Sequence, residues 1–249
     1  MKAEESVLAA QAPAWAACLF SGARSEWLAA PPQPSGVAVP PFQLRITEDD
    51  GQLIVAERTL GDRLPASCPE LHVNRNGTFC IARRSFAARH HTDVVAFWQN
   101  LGQYLVNQTY AERRGVWPAG RWLSHGPDAA DAQIEAETSA ATAGLGEDYA
   151  QWLEAGEGWL AQFFPNANSG RPRVRGATCP LGCVDGKDQP LALRHCPHRT
   201  AVDHILVAES RRRAAERAFF DSLRALGDTC CGRVAGCPLP RTTQPKGTA

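Results

Sequence analysis

Several things are scarce or missing in this 249-residue chain. It has no excess of charge, with 26 Lys and Arg against 26 Asp and Glu. A protein built mainly to hold nucleic acid needs a basic face to neutralise phosphates, so that class is not expected. No apolar run approaches the roughly 20 residues of a membrane-spanning helix, so no membrane partner is expected either. The opening Met1-Lys2-Ala3-Glu4-Glu5 lacks the basic start of a secretory signal, which points to the cytoplasm. There is no Walker motif and no glycine-rich adenylation loop, so ATP-dependent activation is not expected in this chain. No internal repeat is visible. The hydrophobic content, 44%, is ordinary for a globular protein and permits a sizeable core.

Cysteine, in contrast, is plentiful at nine residues. In a reducing compartment these thiols are more naturally catalytic, metal-bound or buried than paired in disulfides. Their placement suggests a division of labour. Six of the nine follow the segment Asn166-Ala167-Asn168-Ser169-Gly170-Arg171-Pro172, which carries the clearest linker composition in the chain. That places a first domain at 1–165, a cysteine-rich module at 171–240 and a disordered tail at 241–249.

Taken in order, residues 4–30 are rich in alanine and read as a helix, ended by Pro31-Pro32-Gln33-Pro34. Phe42, Leu44 and Ile46 alternate on one face of a strand. Leu53 and Val55 begin another, and Glu48-Asp49-Asp50-Gly51 is the hairpin turn between them. Thr92-Asp93 opens a helix that runs to Gly115. Further helices are expected at 128–143, at 147–164 and at 201–226, the last stopped by Gly227. Glu209 stands four before Arg213, as on a solvated helix face. A meander followed by helices is α+β order.

The stretch Leu71-His72-Val73-Asn74-Arg75-Asn76-Gly77-Thr78-Phe79-Cys80-Ile81 concentrates the chemistry. A short strand signal runs into the turn dipeptide Asn76-Gly77, which delivers Cys80 between Phe79 and Ile81. Such a turn presents a sulfur on a fixed backbone, as a nucleophile or thioester former requires, with a polar neighbour for a developing oxyanion. The alternative is a buried cysteine acting as a small hydrophobe. Arg83, Arg84, Arg89 and His90-His91 follow, either to greet an acidic partner or as a solvated loop. The Trp117–Trp122 loop and His125 either line a cleft near Cys80 or close the core.

These residues resemble the ubiquitin-conjugating (UBC-fold) enzymes. His72-Val73-Asn74 stands where that family has His-Pro-Asn. Gly77 lies three positions before Cys80, and Phe79 takes the hydrophobic place. Leu64-Pro65 and Cys68-Pro69 are similar to the proline-rich lead-in of the same fold. A version with Val73 for proline and a shorter His-to-Cys spacing is similar to the stand-alone conjugating-enzyme-like proteins of CBASS anti-phage operons. The resemblance covers about residues 40–125. It implies a UBC-like antiparallel meander with flanking helices, followed here by the cysteine-rich module. It implies Cys80 as thioester former, Asn74 as support for the oxyanion or the loop, and His72 as a hydrogen-bonding brace. It also implies a protein partner that offers its C-terminus, in CBASS a cGAS-like nucleotidyltransferase. Trp122 and His125 are the substrate-facing candidates. The chain closes in Gly247-Thr248-Ala249 rather than diglycine, as expected of carrier rather than cargo.

In the module, Cys179, Cys183, His195, Cys196, Cys230, Cys231 and Cys237 stand on Gly/Pro turns, a donor set that suits structural zinc. The spacings are irregular, and buried thiols, a redox pair or disulfides are the alternatives. Two other functional classes fit the same sequence. One is a non-catalytic binding protein on a UBC-like fold with a zinc-stapled tail. The other is a thiol hydrolase pairing Cys80 with His125.

Overall fold

The structure is a computed structural model and describes residues 7–81, 91–118, 124–163 and 176–241. The basic stretch from Arg83 to His90 and the candidate Trp122 lie outside the described residues, as does the 166–172 linker. The chain divides into two compact units. The first comprises Met1–Pro118 together with Thr229–Ala249, and the second is Ala119–Asp228.

The first unit is built on a four-stranded antiparallel meander in the order β1-β2-β3-β4. The strands are β1 (Ala16–Phe20), β2 (Arg24–Ala29), β3 (Phe42–Asp49) and β4 (Gln52–Glu57). A short helix, α1 (Val7–Ala10), precedes them and a long one, α2 (His91–Arg114), follows. The β3–β4 hairpin turns at Asp50 and Gly51, both with positive φ, 48° and 76°. That tight turn matches the twist of the flanking strands. Phe42, Leu44 and Ile46 point inward and are at most 1% exposed, each contributing about 1.5–3 kcal/mol relative to exposure.

The expected helix over residues 4–30 is replaced by α1 and the β1–β2 hairpin. Ser25, Trp27 and Ala29 are buried in alternation, a period of two, and β2 pairs with β3 from Arg24↔Thr47 to Ala29↔Phe42. Burying Trp27 outweighs the helix preference of the alanines. Its ring meets Trp98 of α2 edge-on at 4.9 Å, and Trp15 meets Trp98 edge-on at 5.7 Å. The sheet thus packs against α2 through a tryptophan cluster.

The second unit is helical. It contains α3 (Pro127–Thr142), α4 (Gly146–Ala155) and α5 (Arg199–Ala225). The helix expected at 147–164 stops at Gly156, which caps α4 at φ 67°, and resumes as a short 3-10 turn at Trp159–Gln162. Its core joins Ala136, Tyr149, Leu160 and Phe163 to Cys179, Leu193 and Ile205. Residues on both sides of the 166–172 segment therefore bury one another. A domain limit at 165–171 would cut through this core, and the division into compact units falls after Pro118. By compactness Thr229–Ala249 groups with the first unit.

Glu209 departs from the expected solvated face. It is fully buried and accepts from Arg212 Nε (2.7 Å), Arg212 Nη2 (2.8 Å), Arg213 Nε (2.8 Å) and the Tyr149 hydroxyl (2.9 Å). Burial alone would raise this carboxyl, but the two guanidiniums hold it below the ordinary carboxylate range.

Candidate active site

The segment from Cys68 to Cys80 folds as a small hairpin pinned beside β4. Cys68 and Val73 exchange backbone hydrogen bonds at 2.9 and 3.0 Å, with the 3-10 turn Pro69–Leu71 between them. Val73 then pairs with Phe79, and the Phe79 amide donates to the Val55 carbonyl at 2.7 Å. The Cys80 amide donates to the His72 carbonyl at 2.8 Å. The loop is therefore fixed to β4 through Thr78 and Phe79 and closed on itself through Cys68 and Val73, as a site that must present one sulfur reproducibly requires.

Cys80 is partly exposed, and burial of most of its surroundings raises its thiol above the ordinary value. It rests as a neutral thiol at pH 7. Asn74 donates from Nδ2 to Thr78 Oγ1 at 2.9 Å, and its backbone amide bonds the Thr78 carbonyl at 2.8 Å. Thr78 Oγ1 in turn donates to Asn76 Oδ1 at 2.7 Å. In this resting state Asn74 closes the turn. His72 is 4% exposed, sits in the left-handed region at φ 53°, and packs its ring edge-on to Trp117 at 4.8 Å. A non-glycine residue held there is backbone strain at the foot of the loop. The His72 brace acts through its carbonyl and its ring.

Gly77 is required on two counts. Its φ is +78°, and a Cβ added to it would lie 2.2 Å from Leu60 Cδ1.

Two side chains of α2 hold the loop from below. The Tyr104 hydroxyl donates to the carbonyls of Leu71 (3.1 Å) and His72 (3.3 Å), and Gln108 Nε2 donates to the same Leu71 oxygen. Tyr104 also stacks on Phe79 at 5.0 Å. Burial keeps its phenol well above the usual value, and nearby negative charge at Cys80 would push it further, so it remains a donor. Tyr104 and Gln108 were not evident from sequence. The available signal was two polar residues at i, i+4 on the same helix face.

His125 belongs to the second unit. It is buried, stacked on Phe219 at 5.8 Å and edge-on to Phe220 at 5.1 Å. Burial lowers its pKa, so it is a neutral imidazole at pH 7.

The metal candidates separate into groups. Cys179, Cys183 and Cys196 bring their sulfurs within 4.8 Å of one another, and Cys179 and Cys196 approach to 2.8 Å. The His198 amide donates to Cys196 Sγ at 3.3 Å. This set fits a thiophilic metal by donor chemistry, since three sulfurs converge on Gly/Pro turns. His195 is not among them; its Nε2 accepts from Arg194 Nε at 3.0 Å. Cys230, Cys231 and Cys237 lie on the segment that belongs to the first unit, where Cys231 meets Cys68 at 2.8 Å. Of the expected ligand set, the structure gathers Cys179, Cys183 and Cys196.

Among the described residues, no helix is long and apolar enough to cross a membrane. Comparison with known families finds two adjoining matches. Residues 23–119 match the family described as "Prokaryotic E2 domain". Residues 124–239 match that described as "Cysteine-rich domain, C-terminal to E2 domain". No curated protein and no solved structure matches the chain.

Proposed function

From a chain that carries a prokaryotic E2 domain followed by a cysteine-rich domain, we propose a conjugating-enzyme-like thioester carrier whose acceptor sulfur is Cys80. The observation that carries this reading is the loop itself. Within the matched domain it presents one partly exposed thiol, braced by β4 and by Tyr104 and Gln108.

The Cys80 thiol loses its proton and attacks the activated acyl carbon at the C-terminus of a protein partner. That acyl group arrives as a thioester on a separate activating protein. The C–S bond to Cys80 forms, and the donor thiolate leaves with the electron pair. An acceptor amine then attacks the Cys80 thioester, gives up a proton, and expels Cys80 as thiolate, leaving an amide. The raised pKa of Cys80 suits storage, because a more basic thiolate is the poorer leaving group toward water. Asn74, one short turn away, would steady the oxyanion once its bond to Thr78 opens. The partner is a protein with a free C-terminus. The resemblance to CBASS operon proteins makes a cGAS-like nucleotidyltransferase the expected donor and anti-phage defence the setting, in the cytoplasm. Zinc held by Cys179, Cys183 and Cys196 would staple the second unit's core.

The test is adduct trapping. With the activating protein and partner supplied, wild-type protein should form a thiol-sensitive adduct. Cys80→Ser should form one that resists thiols, and Cys80→Ala none. A thiol-sensitive adduct that persists on Cys80→Ala would refute the assignment to Cys80, and no adduct on wild type would favour the non-catalytic binding module.

A further inference from the structure

Two cysteines far apart in the chain meet in the first unit. Cys68 stands at the start of the loop, and Cys231 lies 163 positions later on the segment that begins at Thr229. Their sulfurs approach to 2.8 Å. Cys68 is 1% exposed, whereas Cys231 is half-buried. Both flanks are anchored without help from the sulfurs. Cys68 exchanges backbone hydrogen bonds with Val73 at 2.9 and 3.0 Å. Just beyond Cys231, Arg233 Nη1 donates to the Arg63 carbonyl, and the Ala235 amide donates to the Gly115 carbonyl at 2.7 Å. The fold therefore holds the two thiols in contact with no covalent bond between them.

Two sulfurs in contact can share a metal or a bond. A closed zinc site takes four donors. Among the described residues, Cys179, Cys183 and Cys196 gather as a set of three, and Cys68 and Cys231 join no such set. A disulfide needs only the two. Shortening their separation to the bonded length of about 2.05 Å is a movement of under about 1 Å. The exposures divide the roles as well. Cys231 can meet a small oxidant from solvent, whereas Cys68 is sealed from solvent but touches Cys231. That is the arrangement of an attacking and a resolving cysteine.

We propose that Cys68 and Cys231 are a site of oxidation by hydroperoxides, which joins them in a disulfide and locks the 229–241 segment to the foot of the Cys80 loop. The Cys231 sulfur, as thiolate, attacks one oxygen of the hydroperoxide. The O–O bond breaks, the alkoxide (hydroxide from hydrogen peroxide) leaves with the electron pair and takes up a proton, and Cys231 becomes a sulfenic acid. The Cys68 sulfur then attacks the Cys231 sulfur. The S–S bond forms, the S–O bond breaks, and hydroxide leaves with the proton of Cys68 as water. Two thiols have lost two electrons, and the hydroperoxide has gained them. The lock reaches the loop directly, because Cys68 is hydrogen-bonded to Val73 within it. Cys80 is spared, since a neutral thiol reacts slowly with peroxides.

The test treats the reduced full chain with one equivalent of hydrogen peroxide, alkylates the remaining thiols without reduction, and maps the digest by mass spectrometry. Wild type should lose two of its nine thiols, the crosslinked peptide should join Cys68 to Cys231, and Cys80 should carry the alkyl label. The oxidised chain should unfold at a higher denaturant concentration than the reduced chain, because the crosslink closes a long loop of the unfolded state. A thiol reductant should reverse both changes. Cys231→Ser should form no crosslink and gain no stability, whereas Cys230→Ser should still lose two thiols. Alkyl label on both Cys68 and Cys231 of wild type, or either one joined to a different cysteine, overturns the site. A Cys68–Cys231 crosslink that leaves the midpoint unchanged overturns the lock. The wild-type map requires no variant to fold, and no readout involves acyl transfer, so the result is independent of the role assigned to Cys80.

Discussion

The Tyr104 hydroxyl reaches two successive carbonyls, those of Leu71 and His72, at 3.1 and 3.3 Å. One side chain of α2 thereby sets the height of the peptide that receives the Cys80 amide. Tyr104→Phe keeps the ring stack on Phe79 and removes only these donations. The expected cost is about 1 kcal/mol of stability by denaturant titration. Thioester formation should slow more than global stability falls, because the released carbonyls lie next to the nucleophile's own backbone bond.

Gly77→Ala should cost about 1–2 kcal/mol for its left-handed backbone, plus whatever is needed to move Leu60. Leu60 is 55% exposed and can swing away. Adding Leu60→Ala should therefore recover the steric part and leave the backbone part. A double-mutant cycle by thermal unfolding separates them. Complete recovery would show that the left-handed turn is unstrained by alanine.

Loading of Cys80 should rise about tenfold per pH unit across the neutral range, because only the small thiolate fraction reacts and burial raises the pKa. Single-turnover loading rates measured from pH 6 to 9 check this. A plateau beginning below pH 7 would mean that the thiol is activated at rest.

Glu209 has a folded pKa depressed below its unfolded value, so its contribution to stability is present above the ordinary carboxylate range. That contribution is lost as pH falls through the folded pKa. Glu209→Gln should strip one partner from Arg212 and Arg213 and cost about 3–5 kcal/mol near neutrality. It should also flatten the stability profile in acid, which denaturant midpoints at several pH values would show.

The sequence made some of this legible for physical reasons. Asp50-Gly51 and the alternation of Phe42, Leu44 and Ile46 are local signals, and the β3–β4 hairpin follows them. Gly115 and Gly227, both at positive φ, sit just past the ends of α2 and α5. Cys80, His72 and Asn74 are brought together on one loop because they are neighbours in the chain. Other features depend on partners that no local pattern names. Residues 16–29 are alanine-rich and become strands because β3 pairs with β2, and β2 with β1. Glu209 four before Arg213 has the spacing of a surface pair, and only the packing of Tyr149 over it makes it interior. Cys68 reads as part of a proline-rich lead-in, and its partner is 163 positions away.

That separation bears on how the protein is made. The ribosome releases the loop with Cys68 and Cys80 early, and the whole second unit must emerge before Cys230 and Cys231 follow. The first unit cannot complete its contacts during synthesis of its own early residues; Gly115, for instance, waits for the amide of Ala235. A nascent chain stalled within the second unit would display Cys80 on a loop that lacks its last anchor. Competence to accept an acyl group would then arrive late in translation, so that interrupted products are poor acceptors of the partner's C-terminus.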